Sequence, residues 1–170
     1  MSPVIRPAQP DDARALLAYM KAIFSEPDLS LPVEPDEFSV SLADENEVLA
    51  KAAANPRELF LVAVDGAKVV GVLNVVANQR RANQHDVSFG LTVARDYRGQ
   101  GLGTRLLEQM LAWARSNDLI TSVNLTVWKR NRAAIRLYRR FGFRPCGERK
   151  YAVHRYGRFQ TVVAMELLLQ

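Results

Sequence analysis

Three glycines at alternate positions, Gly99, Gly101 and Gly103, stand between two patterned segments. Before them, Val87, Phe89, Leu91 and Val93 alternate in the manner of a half-buried strand. After them, the run from Arg105 to Arg115 is amphipathic at helical spacing. This strand–loop–helix succession places the chain among α/β folds and makes the loop its most constrained part. Backbone N–H groups at a helix start lack intrahelical partners and carry partial positive charge. Arg98, Gly99, Gln100, Gly101, Leu102, Gly103 and Thr104 therefore form a candidate anion seat, which a phosphate can approach closely because glycine carries no side chain.

The spacing discriminates between phosphate-binding patterns. The dinucleotide fingerprint G-x-G-x-x-G fails at Thr104, although Asp118 lies near the downstream position of a ribose contact. The P-loop pattern fails because the loop has no lysine. Arg98, Gly101 and Gly103 do satisfy Arg-x-x-Gly-x-Gly, as a ligand-free glycine turn also could. A second segment decides the matter. Asn131 is a natural helix N-cap, Ala134, Leu137, Tyr138 and Phe141 share one helical face, and Gly142 ends the helix before Phe143. On its own, Tyr138 reads as an amphipathic core residue. Taken together, the two segments resemble the signatures of the GNAT superfamily of acyl-CoA N-acyltransferases. The resemblance runs from Val4 to Leu168 and is sharp from His85 to Gly147.

Patterning along the chain predicts a short strand at Val4 to Arg6 and a helix opened by Pro10-Asp11-Asp12 with Leu16, Leu17, Met20 and Phe24 on its apolar face. A proline-bearing loop follows from Ser25 to Phe38, then a helix from Leu42 to Ala54. Leu59 to Val64 and Lys68 to Ala77 form a hairpin about Asp65-Gly66, and a third long strand spans His85 to Val93. A strand at Val123 to Trp128 separates the two motif helices. Phe143 to Val153 and Thr161 to Leu168 close the chain, with His154 to Arg158 as a basic turn. The order βααβββαβαββ is that of the resembled fold: one domain over residues 1–170, with a mixed, mostly antiparallel central sheet flanked by helices.

The resemblance implies an acetyl-CoA-dependent N-acetyltransferase. Acetyl-CoA is the co-substrate, no metal is needed, and a primary amine (small metabolite, amino acid, polyamine or protein amino group) is the acceptor. It implies that the strand before the loop and the strand after its helix splay apart. The pantetheine arm would then bond to main chain around Leu91 and Val93, and the pyrophosphate would sit on the amides of Arg98 to Thr104. It makes Tyr138 the general acid for the leaving thiolate, a role suited to a phenol protonated at neutral pH, and makes Asn131 a positioning residue. The family's glutamate is replaced here by Ser88, and its aspartate in the tail by Thr161. Asp86, on the face of Ser88 by strand alternation, is the local candidate base, beside a water chain or a carboxylate from Glu26 to Glu47. A CoA-binding regulatory module of the same fold is the alternative that the missing glutamate favours.

Composition bounds what remains. With 170 residues and 48% hydrophobic content, the chain suits one core. There is no 18-residue apolar run, and Met1 to Pro7 lacks the apolar stretch of a signal peptide, so a cytoplasmic location off the membrane is expected. The single Cys146 cannot form an internal disulfide and reads as a packing residue; His85 and His154 have no metal-ligand spacing. Residues 1–85 carry 8 Lys/Arg against 12 Asp/Glu, and residues 86–170 carry 15 against 6. The basic half suits the phosphates of CoA. The strands lack the interleaved aromatics of an RNA-binding surface, so no nucleic-acid partner is expected. Eight carboxylates between Glu26 and Glu47, uninterrupted by Lys or Arg, read either as a solvated face or as a field for a cationic acceptor. The sequence leaves the oligomeric state open, a homodimer included.

Overall fold

The computed structural model describes residues 2–169; Met1 and Gln170, the ends of the expected domain, lie outside the described residues. Seven strands form one sheet: β1 (Val4–Pro7), β2 (Leu59–Asp65), β3 (Lys68–Ala77), β4 (Asp86–Val93), β5 (Ser122–Trp128), β6 (Arg144–Arg155) and β7 (Arg158–Leu168). Four helices intervene: α1 (Ala13–Phe24), α2 (Leu42–Ala54), α3 (Leu102–Arg115) and α4 (Arg132–Arg140). The strand order is β1-β2-β3-β4-β5-β7-β6, and every neighbouring pair is antiparallel except β4 and β5. Among the described residues no helix is long and apolar enough to cross a membrane.

Side-chain alternation divides the sheet between two cores. Leu61, Ala63, Leu73, Val75, Val87, Val123 and Leu125 pack against Leu106, Leu107 and Met110 of α3 and Tyr138 of α4. Val62, Val69 and Val72 meet Leu16, Tyr19 and Ile23 of α1 and Leu49 of α2. Period 2 in the strands and 3.6 in the helices thus put α1 and α2 on one face and α3 and α4 on the other.

Two local readings differ from the sequence. The buried stripe of α1 is Leu16, Tyr19, Ile23 and Phe24, with Leu17 and Met20 only half-buried. A buried tyrosine is tolerated there because its hydroxyl donates to Thr92 Oγ1 at 3.0 Å. The last hairpin turns on Tyr156-Gly157 alone, with φ of 56° and 68°, so both strands run further than their apolar residues do. Two successive positive φ values give the type I′ turn that matches the twist of paired strands. Hydrophobic alternation cannot locate such a turn where the strand ends are arginines.

Candidate active site

The glycine loop has the geometry of an anion seat. Gly99 and Gly101 are left-handed (φ 72° and 81°), Gly101 is the N-cap of α3, and no heavy atom lies within 4 Å of a Cβ built on either. Gly103 differs. A Cβ there would stand 3.7 Å from Leu137 Cδ2 and 3.8 Å from Leu91 Cδ2, ordinary contacts, so the packing of α3 on α4 and β4 does not require glycine at this position. A groove of about 840 Å³ follows the loop between α3 and α4, with Arg105, Arg136 and Arg140 on its walls. Arg136 and Arg140 stand one turn apart and form no ion pair among the described residues. Sequence reading had not singled out Arg105 or Arg140. The i, i+4 spacing of Arg132, Arg136 and Arg140 was the signal that could have found the latter.

Arg98 departs from its expected use. Its Nε donates to the Val93 carbonyl at 2.8 Å, and one terminal nitrogen reaches both oxygens of Glu26, at 2.9 and 2.7 Å. The guanidinium is therefore held by the protein, and the Arg98 N–H itself donates to Arg95 O at 3.2 Å, so the free amides of the seat begin at Gly99. The Arg98 side chain fastens the loop after α1 to the glycine loop.

Next to this seat the sheet opens. Strands β4 and β5 pair only at Asp86–Ser122, Val87–Val123 and Ser88–Asn124. Strand β4 nevertheless stays paired with β3 as far as Val93, and β5 with β7 as far as Trp128. The pair diverges beyond Ser88 because each strand follows its outer neighbour. Ala94 N donates to Val70 O at 2.9 Å, so alternate residues of β4 bond to β3, while Leu91 and Val93 turn their N–H and C=O groups into the gap. Arg98 takes the Val93 carbonyl; the Val93 N–H and both Leu91 groups remain for an extended amide ligand.

Tyr138 lies beside the apex of this wedge. Its ring meets Phe89, the first unpaired residue of β4, edge-on at 5.7 Å, and Phe143 at 6.0 Å. The side chain is buried, and the phenol has no hydrogen-bond partner among the described residues. Burial pushes its pKa up to about 12. Asn131 caps α4, its Oδ1 accepting from Ala134 N at 3.2 Å, and also lines the adjoining cavity.

That cavity, about 410 Å³, lies across Val93 and Arg98 from the phosphate groove and is lined by Asp28, Leu29, Leu31, Thr92 and Arg130 besides Asn131. The loop between α1 and α2 forms one wall and is tied to the last hairpin. Buried Arg155 donates to Leu31 O at 2.7 Å and stands 3.4 Å from Glu34, while Tyr156 Oη donates to Leu29 O at 3.2 Å. Burial also raises the pKa of Tyr19 beneath Thr92, so this phenol too stays protonated.

Part of the acidic run is paired within the protein. Glu26 pairs with Arg98, Glu34 with Arg155, Glu47 with Lys51, and Asp28 stands 3.8 Å from Arg95. Glu37 accepts from Glu34 N, and Asp44 closes the capping box of α2 with Ser41. Asp86 is likewise used structurally. Its oxygens accept from Ser122 Oγ at 2.6 Å and Asn124 Nδ2 at 2.7 Å, at the closed end of the β4–β5 pair. It does not line the cavity beside Thr92. His154 stacks on Phe159 at 5.0 Å, and no metal-holding cluster of His, Cys, Asp and Glu occurs among the described residues.

Known proteins share this fold. A family model described as "Acetyltransferase (GNAT) family" matches residues 18–143. The L-amino acid N-acetyltransferase of Escherichia coli K12 is 30% identical over 104 residues, 61% of this chain and 64% of that protein, so the match spans less than two thirds of the relative's length. An acetyltransferase of the GNAT family from Streptococcus pneumoniae superposes with a TM-score of 0.94 at 28% identity, over 99% of each chain. A phosphinothricin acetyltransferase from Sinorhizobium meliloti, solved with acetyl-CoA, superposes with a TM-score of 0.84 at 21% identity, over 99% of this chain and 89% of that one. Glycine seat, divergent strands and buried tyrosine thus stand in a chain whose sequence matches the family model over most of its length: it belongs to the acetyltransferase (GNAT) family.

Proposed function

We propose that the protein transfers an acetyl group from acetyl-CoA to a primary amine by direct attack. The observation that carries this reading is the parting of β4 from β5 between the glycine seat and a cavity of about 410 Å³, with the Tyr138 ring against Phe89 where the two strands part. The residues present fit the cofactor. The amides of Gly99, Gln100, Gly101, Leu102, Gly103 and Thr104 receive its pyrophosphate, Arg136 and Arg140 its remaining phosphate charge, and the Leu91 and Val93 main chain its amide arm. The cofactor supplies an activated acetyl thioester; the protein supplies position and a proton.

In the transfer, the amine nitrogen bonds to the acetyl carbonyl carbon as the C–S bond breaks, and net one proton passes from nitrogen to sulfur. Tyr138 holds its proton throughout the physiological range, but a phenol near 12 is a weak acid towards a thiol near 8.5. That gap of about 3.5 in pKa, roughly 5 kcal/mol, makes complete early donation uphill. Tyr138 therefore acts best by hydrogen-bonding the sulfur as charge develops; its proton crosses to sulfur while the new ammonium gives its own to solvent, which reprotonates the phenol. The acceptor surrenders its first proton to solvent at the cavity mouth, and Asp86 is assigned no step.

The test is calorimetric titration with acetyl-CoA of the wild type, Gly101→Ala and Gly101→Glu. Both variants force a side chain into the left-handed region, a strain of about 1–2 kcal/mol, but only the second brings a negative charge. Loss of binding in the glutamate variant, with binding kept in the folded alanine variant, supports the seat. Equal affinity in all three would remove it.

A further inference from the structure

One cation of the acceptor cavity has nothing to hold. Arg98 is neutralised by Glu26, and Arg105, Arg136 and Arg140 face the phosphate groove instead. Arg130 lines the acceptor cavity, is exposed, and makes neither an ion pair nor a hydrogen bond through its guanidinium among the described residues. It is nevertheless held in place, its guanidinium carbon 4.8 Å from the Trp128 ring centroid and 5.5 Å from that of Tyr156. Tyr156 is the one non-glycine residue with positive φ among those described, at a turn position that glycine fills without strain. It is anchored besides, through its hydroxyl to Leu29 O and by Arg155 stacked 4.7 Å from its ring. A strained, doubly fastened tyrosine and a buried tryptophan thus hold a planar fork of donors at the edge of this cavity, where Arg130 also borders a second one lined by Lys129, Arg132 and Gln160.

We infer that Arg130 binds a carboxylate of the acceptor, which makes the substrate an α-amino acid rather than a polyamine. This rests on the acetyl-transfer reading of the same site. The guanidinium fork matches a carboxylate bidentately. Leu29, Leu31 and Leu91 give the remaining wall an apolar character that suits an aliphatic side chain. A polyamine would set its own charge against Arg130, and the lining's one carboxylate, Asp28, already has Arg95 at 3.8 Å.

Three matched amines separate the groups: L-leucine, L-leucinamide and 3-methylbutylamine, with spermidine as a fourth acceptor. The wild type is expected to acetylate leucine with a kcat/KM about 10–100-fold above that of the amide, the usual worth of a hydrogen bond to a charged group. Arg130→Gln should erase that preference through KM, Arg130→Lys should restore part of it, and the Kd for acetyl-CoA should stay unchanged in both. Titration of N-acetyl-L-leucine into the CoA-bound protein gives a readout free of turnover, and Arg130→Gln should weaken it by the same factor. Carboxylate-dependent binding without acetyl transfer would sustain this inference and overturn the transfer reading. Transfer with equal use of leucine, leucinamide and spermidine would overturn this inference alone. A rise in the acetyl-CoA Kd of Arg130→Gln matching the loss for leucine would place Arg130 on the cofactor, and would equally overturn it.

Discussion

Removing a single oxygen from Tyr138 separates chemistry from packing. In Tyr138→Phe the ring keeps its edge-on contacts with Phe89 at 5.7 Å and Phe143 at 6.0 Å, so no cavity opens. The lost hydroxyl has no partner among the described residues and is buried enough to raise its pKa to about 12. The hydroxyl makes no hydrogen bond to lose and is not a fully buried orphan, so the variant should stay within about 1 kcal/mol of the wild type. Its kcat should nonetheless fall by about 10²–10⁴, or roughly 3–5 kcal/mol of barrier. Thiol release under saturating acetyl-CoA and amine gives kcat, thermal unfolding gives stability, and calorimetry should find acetyl-CoA affinity nearly unchanged. A phenylalanine variant that turns over at the wild-type rate would refute the assignment. A variant that loses activity and several kcal/mol of stability together would show that the tyrosine is structural.

Two further predictions concern the frame of the site. Glu26→Gln breaks the Arg98 fork, and a half-exposed pair of this kind is worth about 1 kcal/mol, or 2–4 °C in Tm for a chain of this size; the amine KM should rise as the loop after α1 loosens, while an unmoved KM would deny that the fork shapes the cavity. Asp12 is held below the usual carboxylate range, chiefly by the Arg6 fork at 2.6 and 2.8 Å. Its contribution is therefore fully present above the unfolded pKa of about 3.9 and is lost as pH falls through the lower folded value. Asp12→Asn should cost about 1–2 kcal/mol at pH 7, and the gap to wild type in urea unfolding should close as pH falls below the ordinary carboxylate range; a gap constant with pH would remove the ion pair as its cause.

Local patterning carried most of the frame. The helix Leu42–Ala54, the Asp65-Gly66 hairpin and the Asn131 cap were legible because each is decided by near neighbours: a capping box, a turn dipeptide, an N-cap oxygen. What was not legible depends on contacts between residues far apart in sequence. Nothing near Arg98 announces that Glu26, 72 residues earlier, takes its guanidinium, or that Arg155 claims Glu34 from an acidic run that reads as open. The surroundings of Asp86 were hidden for the same reason. Alternation gave the correct face, but its oxygens are taken by Ser122 and Asn124 on a strand that only the fold brings alongside. The open guanidinium of Arg130 is likewise visible only in the fold, where Glu26 takes the other arginine of the same cavity.

The central claim is acetyl transfer from a thioester to an amine at the β4–β5 opening. Its most direct test follows the acetyl carbon itself, with acetyl-CoA labelled with ¹³C at the carbonyl, incubated with the protein and the amine panel, and read by NMR. The account predicts that the label leaves the thioester and appears in an amide, with free CoA formed in equal amount. A label that stays in the thioester, or moves only into free acetate with every amine present, would contradict it.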